Sequence, residues 1–248
     1  MTSKINNPSA DLKPNSKPGF FVTGTDTEVG KTLISGALLL LLSKKYALVS
    51  GYKPVVAGLS DIGGQLQNED LVTLQLASSY HAKNISEICP YQLETPAAPH
   101  LVAKKLNVTL SYQRMLDGYF SLRDRVDAIV VEGAGGFLVP FHENKHSGDF
   151  AKDIGLPVIL VVGMRLGCIS HALLTVEAVR QRGLTIAGWV ANTLAHPMNM
   201  LAENIETLNQ LLNAPLLGTI PTLEQDLAKT PYSKTALERA ASYLHLPN

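Results

Sequence analysis

Six short apolar runs punctuate the chain: Phe20-Phe21-Val22, Ala47 to Tyr52, Ala128-Ile129-Val130-Val131, Pro157 to Gly163, Leu184 to Val190 and Pro215 to Pro221. Runs of this length, several of them continuously β-branched, predict strands buried on both faces. Helical patterns lie between them. Leu33 to Leu42 is almost wholly apolar, which predicts a buried helix, and Leu71 to Ser79 reads as a second. A short helix from Leu101 precedes an amphipathic one from Ser111 to Arg125. Ser170 is a good N-cap for a helix running to Arg182, with Gly183 as its stop signal. Met198 to Asn213 and Ser233 to Leu244 complete the helices. Gly58 to Asn68 is expected to be a flexible loop, and the segments around Cys89-Pro90 and Thr95 to His100 are proline-rich turns.

Strands alternating with helices across long connections demand crossovers. The fold class is therefore α/β: a doubly wound, mainly parallel sheet flanked by helices. No internal repeat or linker divides the chain, so residues 19–248 are expected to form a single domain. Residues 1–18, rich in Pro, Asn, Ser and Lys with little to bury, predict a mobile leader.

Composition narrows the function classes. Hydrophobic residues make up 46% and charged residues 17% of 248 residues, which suits a globular domain with a sizeable core. A formal net charge of zero leaves no broad basic field for nucleic acid. The longest apolar stretch, near Ala37 to Leu42, is far short of the roughly 20 residues that span a bilayer. Two cysteines, Cys89 and Cys168, make no disulfide framework and fit a reducing compartment. The expected location is the cytoplasm, with neither nucleic acid nor membrane as partner.

The first strand candidate runs into Gly24-Thr25-Asp26-Thr27-Glu28-Val29-Gly30-Lys31-Thr32 and then the first helix. Strand, glycine-bounded loop and helix opening on Gly-Lys-Thr make a phosphate-binding loop, and the domain a P-loop fold. Unpaired N–H groups and the helix dipole favour an anion at such a helix start. Gly30 lets the backbone approach a phosphate oxygen, Lys31 adds a full positive charge, and Thr32 offers a hydroxyl to Mg²⁺. Five residues separate Gly24 from Gly30, one more than the usual four.

Three further candidates sit at strand or helix ends. Lys53-Pro54 closes the second strand, where ligands of open α/β sheets gather, although a solvated surface lysine is the commoner fate of Lys. Glu69-Asp70 opens a helix, where acids also complement the dipole without any ligand. Glu132, at the end of a hydrophobic strand and before Gly133-Ala134-Gly135-Gly136, stands where a phosphate-loop enzyme places its second magnesium-site acid. His100 has no catalytic role assigned.

The loop, with its extra residue, resembles that of dethiobiotin synthetases. Four other segments resemble the same family in its order: Gly51-Tyr52-Lys53-Pro54-Val55, Val131 to Gly136, Leu166-Gly167-Cys168-Ile169-Ser170-His171, and Gly188-Trp189-Val190-Ala191-Asn192. The resemblance covers about residues 19 to 225 and implies a ligase of biotin biosynthesis. With ATP as co-substrate and Mg²⁺ as cofactor, it would convert 7,8-diaminopelargonate and CO₂ to dethiobiotin, ADP and phosphate.

The resemblance also implies roles. Lys31 and Lys53 would be catalytic, and Thr32, Asp70 and Glu132 would hold Mg²⁺. ATP would meet Thr27, Glu28, Val29, Gly30, Lys31, Thr32 and Leu33 of the loop, with Asp70, Glu132, Gly133, Ala134 and Gly135. Asn192, Thr193, Ile220, Pro221 and Thr222 would form the adenine end. Lys53, Ala57, Gly167, Cys168 and Ser170 would bind substrate, the last three across the interface of a homodimer. Ala57 and Ser170 replace a family Ser and Asn respectively. Two alternatives share the fold: an ATP-dependent enzyme amidating a cobyrinate-type precursor, and a partition or positioning ATPase acting as a nucleotide switch. The first carries an added glutaminase domain with a nucleophilic cysteine, and the second an early loop lysine where Asp26 and Thr27 stand.

Overall fold

The computed structural model of the protein describes residues 17–142, 144–196 and 198–247. Six strands form its main sheet: β1 (Gly19–Gly24), β2 (Val49–Tyr52), β3 (Ala128–Gly136), β4 (Val158–Met164), β5 (Ile186–Thr193) and β6 (Leu216–Ile220). Their order is β6-β5-β4-β1-β3-β2, and every pairing is parallel. From β1 the chain crosses to the edge strand β2, returns to β3 between them, and then passes to the other side of β1 for β4, β5 and β6 in turn. Loops leaving the strands therefore diverge at β1, which opens a crevice at the carboxyl ends.

Strand periodicity sorts the core into two faces. Val22, Val130, Ile159, Val161 and Val190 point to one side, where α1 (Lys31–Ser43), α2 (Glu69–Ala77) and α8 (Lys234–Ala241) cover them. Phe21, Ile129, Val131 and Val158 point to the other, under α4 (Tyr112–Arg125) and α5 (Ser147–Ile154). On that same face Leu160, Val162, Trp189 and Ala191 meet α6 (Cys168–Gln181) and α7 (Leu201–Leu211). A short α3 (Pro99–Lys105) opens on Pro99, whose missing N–H costs nothing there.

Helix α1 is the centre of the packing. Ten of its thirteen residues are buried, so it is enclosed all round and needs no polar face. Gly36 permits this: a Cβ there would lie 2.7 Å from Leu237 Cδ2 of α8. Truncating a buried leucine such as Leu38 removes about 2–5 kcal/mol.

All six strand candidates and the helices flanking them form as expected, with four local differences. Tyr91–Leu93, whose start lies in an expected proline-rich turn, is a short strand paired in parallel with Val55–Ala57. The segment expected as a flexible loop contains an antiparallel hairpin, Ser60–Ile62 with Gln65–Gln67, turned by Gly63 and Gly64 with positive φ. Helix α5, preceded by the pair Pro140–His142 and Lys145–His146, has no counterpart in the sequence reading; its run is short and opens on a His-Ser-Gly rather than a strong cap. Helix α6 begins at Cys168 with left-handed Gly167 as N-cap (φ 94°), so Ser170 lies in its first turn instead of capping it. Residues 1–16 of the expected leader lie outside the described residues. Lys17 and Pro18 are tied to the end of α4, with Lys17 Nζ donating to the Val126 carbonyl at 2.9 Å and Arg123 donating to the Pro18 carbonyl at 2.8 Å.

Candidate active site

At Gly24, which ends β1, a Cβ would lie 2.5 Å from Val29 Cγ2, so the loop folds tightly back over its own start. Two left-handed residues, Glu28 (φ 56°) and Gly30 (φ 90°), turn the chain into α1. Successive N–H groups in such a turn make an anion-binding concavity. Position 30 demands glycine twice over, since a Cβ would also stand 2.2 Å from Asn192 Nδ2. Asn192, at the end of β5, donates from Nδ2 to the Val29 carbonyl at 2.9 Å and so fixes the loop from below. Lys31 Nζ donates to the Asp26 carbonyl at 2.9 Å.

Four side chains converge beside the loop. Thr32 Oγ1 is 2.7 Å from Asp70 Oδ1 and 2.8 Å from Glu132 Oε1. Lys53 Nζ donates to Asp70 Oδ2 at 2.6 Å and to Glu132 Oε1 at 2.5 Å. Each comes from a different element. Thr32 is in α1, Glu132 on β3, and Lys53 just beyond β2, with its N–H held by the Ile88 carbonyl at 2.8 Å. Asp70 lies in the first turn of α2, which Asn68 caps: its Oδ1 accepts from the N–H groups of Asp70 and Leu71. Asn68 Nδ2 also donates to the Gly58 carbonyl at 2.7 Å, anchoring the base of the hairpin.

The electrostatics follow from burial. Lys53 is 5% and Glu132 0% exposed, whereas a third of the Asp70 side chain meets solvent. Burial alone would release the Lys53 proton, but the carboxylates of Asp70 and Glu132 outweigh it and hold the ammonium above the ordinary lysine range. For Asp70, burial is likewise outweighed, by the Lys53 charge and hydrogen bond, and its pKa is lowered. Lys31 differs. Burial first, and then the charge of Lys53, bring it down to about 8.

Divalent cations that prefer oxygen have a fitting set of donors here. The Thr32 hydroxyl carries one proton yet touches two carboxylates, and the buried Glu132 Oε2 has no hydrogen-bond partner among the described residues. One hydroxyl and two carboxylates thus crowd together short of positive charge on one side. Among the described residues no group of three or more His, Cys, Asp or Glu side chains gathers into a metal cage. A cation sharing Thr32, Asp70 and Glu132 with phosphate oxygens would be Mg²⁺-like in its preferences.

The cluster forms the floor of a cleft of about 1060 Å³. Thr27, Glu28, Gly30, Lys31, Thr32 and Leu33 line one wall. Lys53, Ala57, Asp70, Glu132, Ala134 and Gly135 line the floor and the far side. Asn192, Thr193, Pro221 and Thr222 close one end. Val29, Gly133 and Ile220 stand behind the wall: Val29 and Ile220 are buried in the core, and a Cβ on Gly133 would face the Phe21 ring at 3.2 Å. Gly167, Cys168 and Ser170 lie outside the cleft of this single chain, with Ser170 exposed and Cys168 buried.

Several contributors carry no mark in the linear sequence. Arg165, in the turn before α6, is ion-paired with Asp26 of the phosphate loop across 139 positions. Pro96 to Pro99 supply an apolar wall opposite the loop, and Thr230 and Tyr232 another edge. Asn68 is the exception, since Asn before a pair of acids is an N-cap signal.

A parallel sheet with a phosphate loop at its central strand and a hydroxyl–carboxylate cluster beside it defines an α/β nucleotide-binding ATPase-like protein. A family model described as an AAA domain matches residues 18–229. Among curated relatives, the chain is 48% identical to the ATP-dependent dethiobiotin synthetase BioD of Aromatoleum aromaticum, over 82% of this chain and 89% of that one. It is 44% identical to that of Ralstonia nicotianae, over 84% and 91%, and 43% identical to that of Aliivibrio fischeri, over 82% and 89%. The chain belongs to the ATP-dependent dethiobiotin synthetase family. A ParA family ATPase from Chlorobium tepidum shares the fold, with a TM-score of 0.54 and 15% identity over 91% of this chain and 98% of that one. At that identity the likeness speaks for the fold alone.

Proposed function

We propose that this protein is an ATP-dependent dethiobiotin synthetase, which carboxylates 7,8-diaminopelargonate with CO₂ and closes the ureido ring. The observation that carries the reading is the Thr32–Asp70–Glu132–Lys53 cluster beside the phosphate loop, in a chain 48% identical to a curated enzyme of that name. One amine of the substrate captures CO₂ as a carbamate. A carbamate oxygen then forms a bond to the γ-phosphorus of ATP while the bond to the β-γ bridging oxygen breaks, releasing ADP. The second amine attacks the activated carbon, phosphate leaves, and the ring is closed.

The chain's contribution is to hold charge. A carbamate and a triphosphate are both anionic, and their approach needs fixed positive groups. Lys31 would meet the phosphates from the loop, and Lys53 the carbamate and transferring phosphoryl group from the floor. The loop N–H groups would grip the phosphates, and the Asn192 bond to Val29 keeps them aimed. Thr32, Asp70 and Glu132 would hold Mg²⁺, which supplies neutralisation of the phosphate oxygens when bound. Lys53 retains Asp70 Oδ2 as partner even when Asp70 Oδ1 is shared. Ala57, on the short strand Val55–Ala57 beside Lys53, would face the diamine.

A homodimer would complete the site. Gly167, Cys168 and Ser170 lie outside this chain's own cleft, which suits a loop serving a neighbouring copy. We place the protein's work in the cytoplasm, a reading supported by two free cysteines, Cys89 and Cys168. Among the described residues no helix is long and apolar enough to cross a membrane.

The test is incubation with ATP, Mg²⁺, bicarbonate and the diamine, with mass detection of dethiobiotin. Product and ADP are expected only when all four are present. Steady ATP hydrolysis that ignores the diamine would sink the reading.

A further inference from the structure

The phosphate loop carries the wrong charge for its task. Gly24 to Thr32 holds two acids, Asp26 and Glu28, against the single lysine Lys31, in a stretch that would seat a triphosphate. Both acids line the cleft. Glu28 is exposed, where solvent and salt screen it, but Asp26 is half-buried. The Asp26 carbonyl accepts from Lys31 Nζ at 2.9 Å, so its carboxylate belongs to the residue that holds the loop's own cation. That charge is felt there. Burial and Lys53 lower the Lys31 pKa, and Asp26 is one of the carboxylates that pull it back up.

Sheet register supplies a partner for it. Gly24 of β1 lies opposite Val161 of β4, and the Thr25 N–H donates to the Val161 carbonyl at 3.0 Å. The two segments therefore leave the sheet side by side. One enters the phosphate loop. The other ends its strand at Met164 and turns at Arg165, whose carbonyl accepts from the Cys168 N–H at 3.0 Å. From that turn Arg165 Nη2 donates to Asp26 Oδ2, while Asp26 Oδ1 accepts from the Thr27 N–H at 2.7 Å. Both carboxylate oxygens are thus engaged, one by the loop's own backbone and one by a cation from another element. Arg165 is not among the described residues that line the cleft.

The Arg165 and Asp26 side chains are 48% and 43% exposed, so the pair contributes little to folding stability. Its effect on an anion in the loop is a separate matter, because an unpaired carboxylate at the edge of a partly enclosed cleft repels a polyanion more strongly than one in bulk water. We propose that Arg165 is a positioning residue for ATP binding that acts through Asp26: it neutralises and orients the carboxylate beside Lys31, and so fits an acidic loop to a triphosphate. The inference rests on the reading of this cleft as an ATP site.

The test is calorimetric binding of Mg·ATP to the full chain, which stands apart from turnover. Arg165→Gln keeps a hydrogen-bond donor without the charge and should weaken ATP binding about two- to fivefold, the scale of a half-exposed ion pair. Arg165→Lys should retain most of the parent affinity. Asp26→Asn keeps an oxygen for the Thr27 N–H and removes the charge, so it should bind ATP as tightly as the parent or more tightly. Adding it to Arg165→Gln should cancel that variant's loss. In 1 M NaCl, where the Debye length is about 3 Å, the parent and Arg165→Gln should converge. A pair that merely braces the loop gives the opposite sign: Asp26→Asn weakens binding as Arg165→Gln does, the double variant recovers nothing, and salt leaves the gap in place. Any of these results overturns the assignment, as does an Arg165→Gln protein that binds ATP like the parent. If the parent itself fails to bind Mg·ATP, the ATP reading falls and takes this role with it; if the parent binds and Asp26→Asn has the wrong sign, only the role of Arg165 falls.

Discussion

The Lys53 ammonium stands 2.5 Å from Glu132 Oε1, and the carboxylate it neutralises has no exposure to solvent. Breaking a buried pair leaves an uncompensated charge, at a cost of about 3–5 kcal/mol. Lys53→Ala should therefore lower stability by that order in urea unfolding, with Mg²⁺ restoring part of it. Turnover should fall far more than ATP affinity, because Lys53 is placed where charge changes during phosphoryl transfer. Near-normal turnover in Lys53→Ala would refute the role.

Asp70→Asn and Glu132→Gln each remove one anionic oxygen from the set around Thr32. Both should raise the Mg²⁺ concentration needed for half-maximal rate, by about tenfold or more on the scale of one charged ligand. Glu132→Gln should have the larger effect, since Glu132 is fully buried and its Oε2 has no hydrogen-bond partner among the described residues. A Mg²⁺ titration of Asp70→Asn that overlays the parent curve would reduce Asp70 to a helix-start acid.

Lys31 has a pKa of about 8 in the nucleotide-free chain because it is buried and stands near Lys53. A bound phosphate favours the charged form and raises that value. Below about pH 8 the ammonium is ready to bind; above it, binding must take up a proton. ATP affinity should therefore fall as pH rises past 8, by up to about tenfold per unit. Lys31→Arg, which stays charged, should lose this slope whatever its absolute affinity. A flat pH profile for the parent between pH 7 and 9.5 would show that Lys31 carries no such linkage.

Ser170 lies exposed in the first turn of α6, outside the cleft of its own chain. If this turn binds the substrate carboxylate of a neighbouring copy, Ser170→Asp should raise the diamine Michaelis constant by like-charge repulsion, while Ser170→Asn should leave it intact or lower it. Sedimentation should give a dimer at assay concentration. An active monomer, or an unchanged Michaelis constant in Ser170→Asp, would remove the turn from the substrate pocket.

What was legible in the sequence was local. Gly30-Lys31-Thr32 after a strand and before an apolar helix announces its own geometry, because the chemistry depends on consecutive backbone groups. Continuous runs such as Val158 to Val162 declare buried parallel strands for the same reason. From the residues alone Thr32, Lys53, Asp70 and Glu132 were readable only as four separate strand-end and helix-start positions, since the register that unites them is set by pairing of β1, β2 and β3; only the family resemblance joined them beforehand. Arg165 and Tyr232 were not legible at all. Arg165 pairs with Asp26 of the phosphate loop and Tyr232 lines the cleft, each from a stretch whose own pattern is that of an ordinary turn. Helix α5 was missed because its eight residues are too few for the period to show.

Helix α1 is enclosed on every side, and its first residues are also the proposed phosphate grip. The catalytic loop therefore has no soft mounting of its own: it is one end of the molecule's most deeply embedded piece. Nucleotide held there clamps the core itself. At a hundred times its dissociation constant, such a ligand adds about 2.7 kcal/mol to the stability of the whole domain. Storage life and heat resistance are thus set by the same grip that serves catalysis, and a substitution deep in α1, far from any phosphate, would be felt first as a poor hold on ATP.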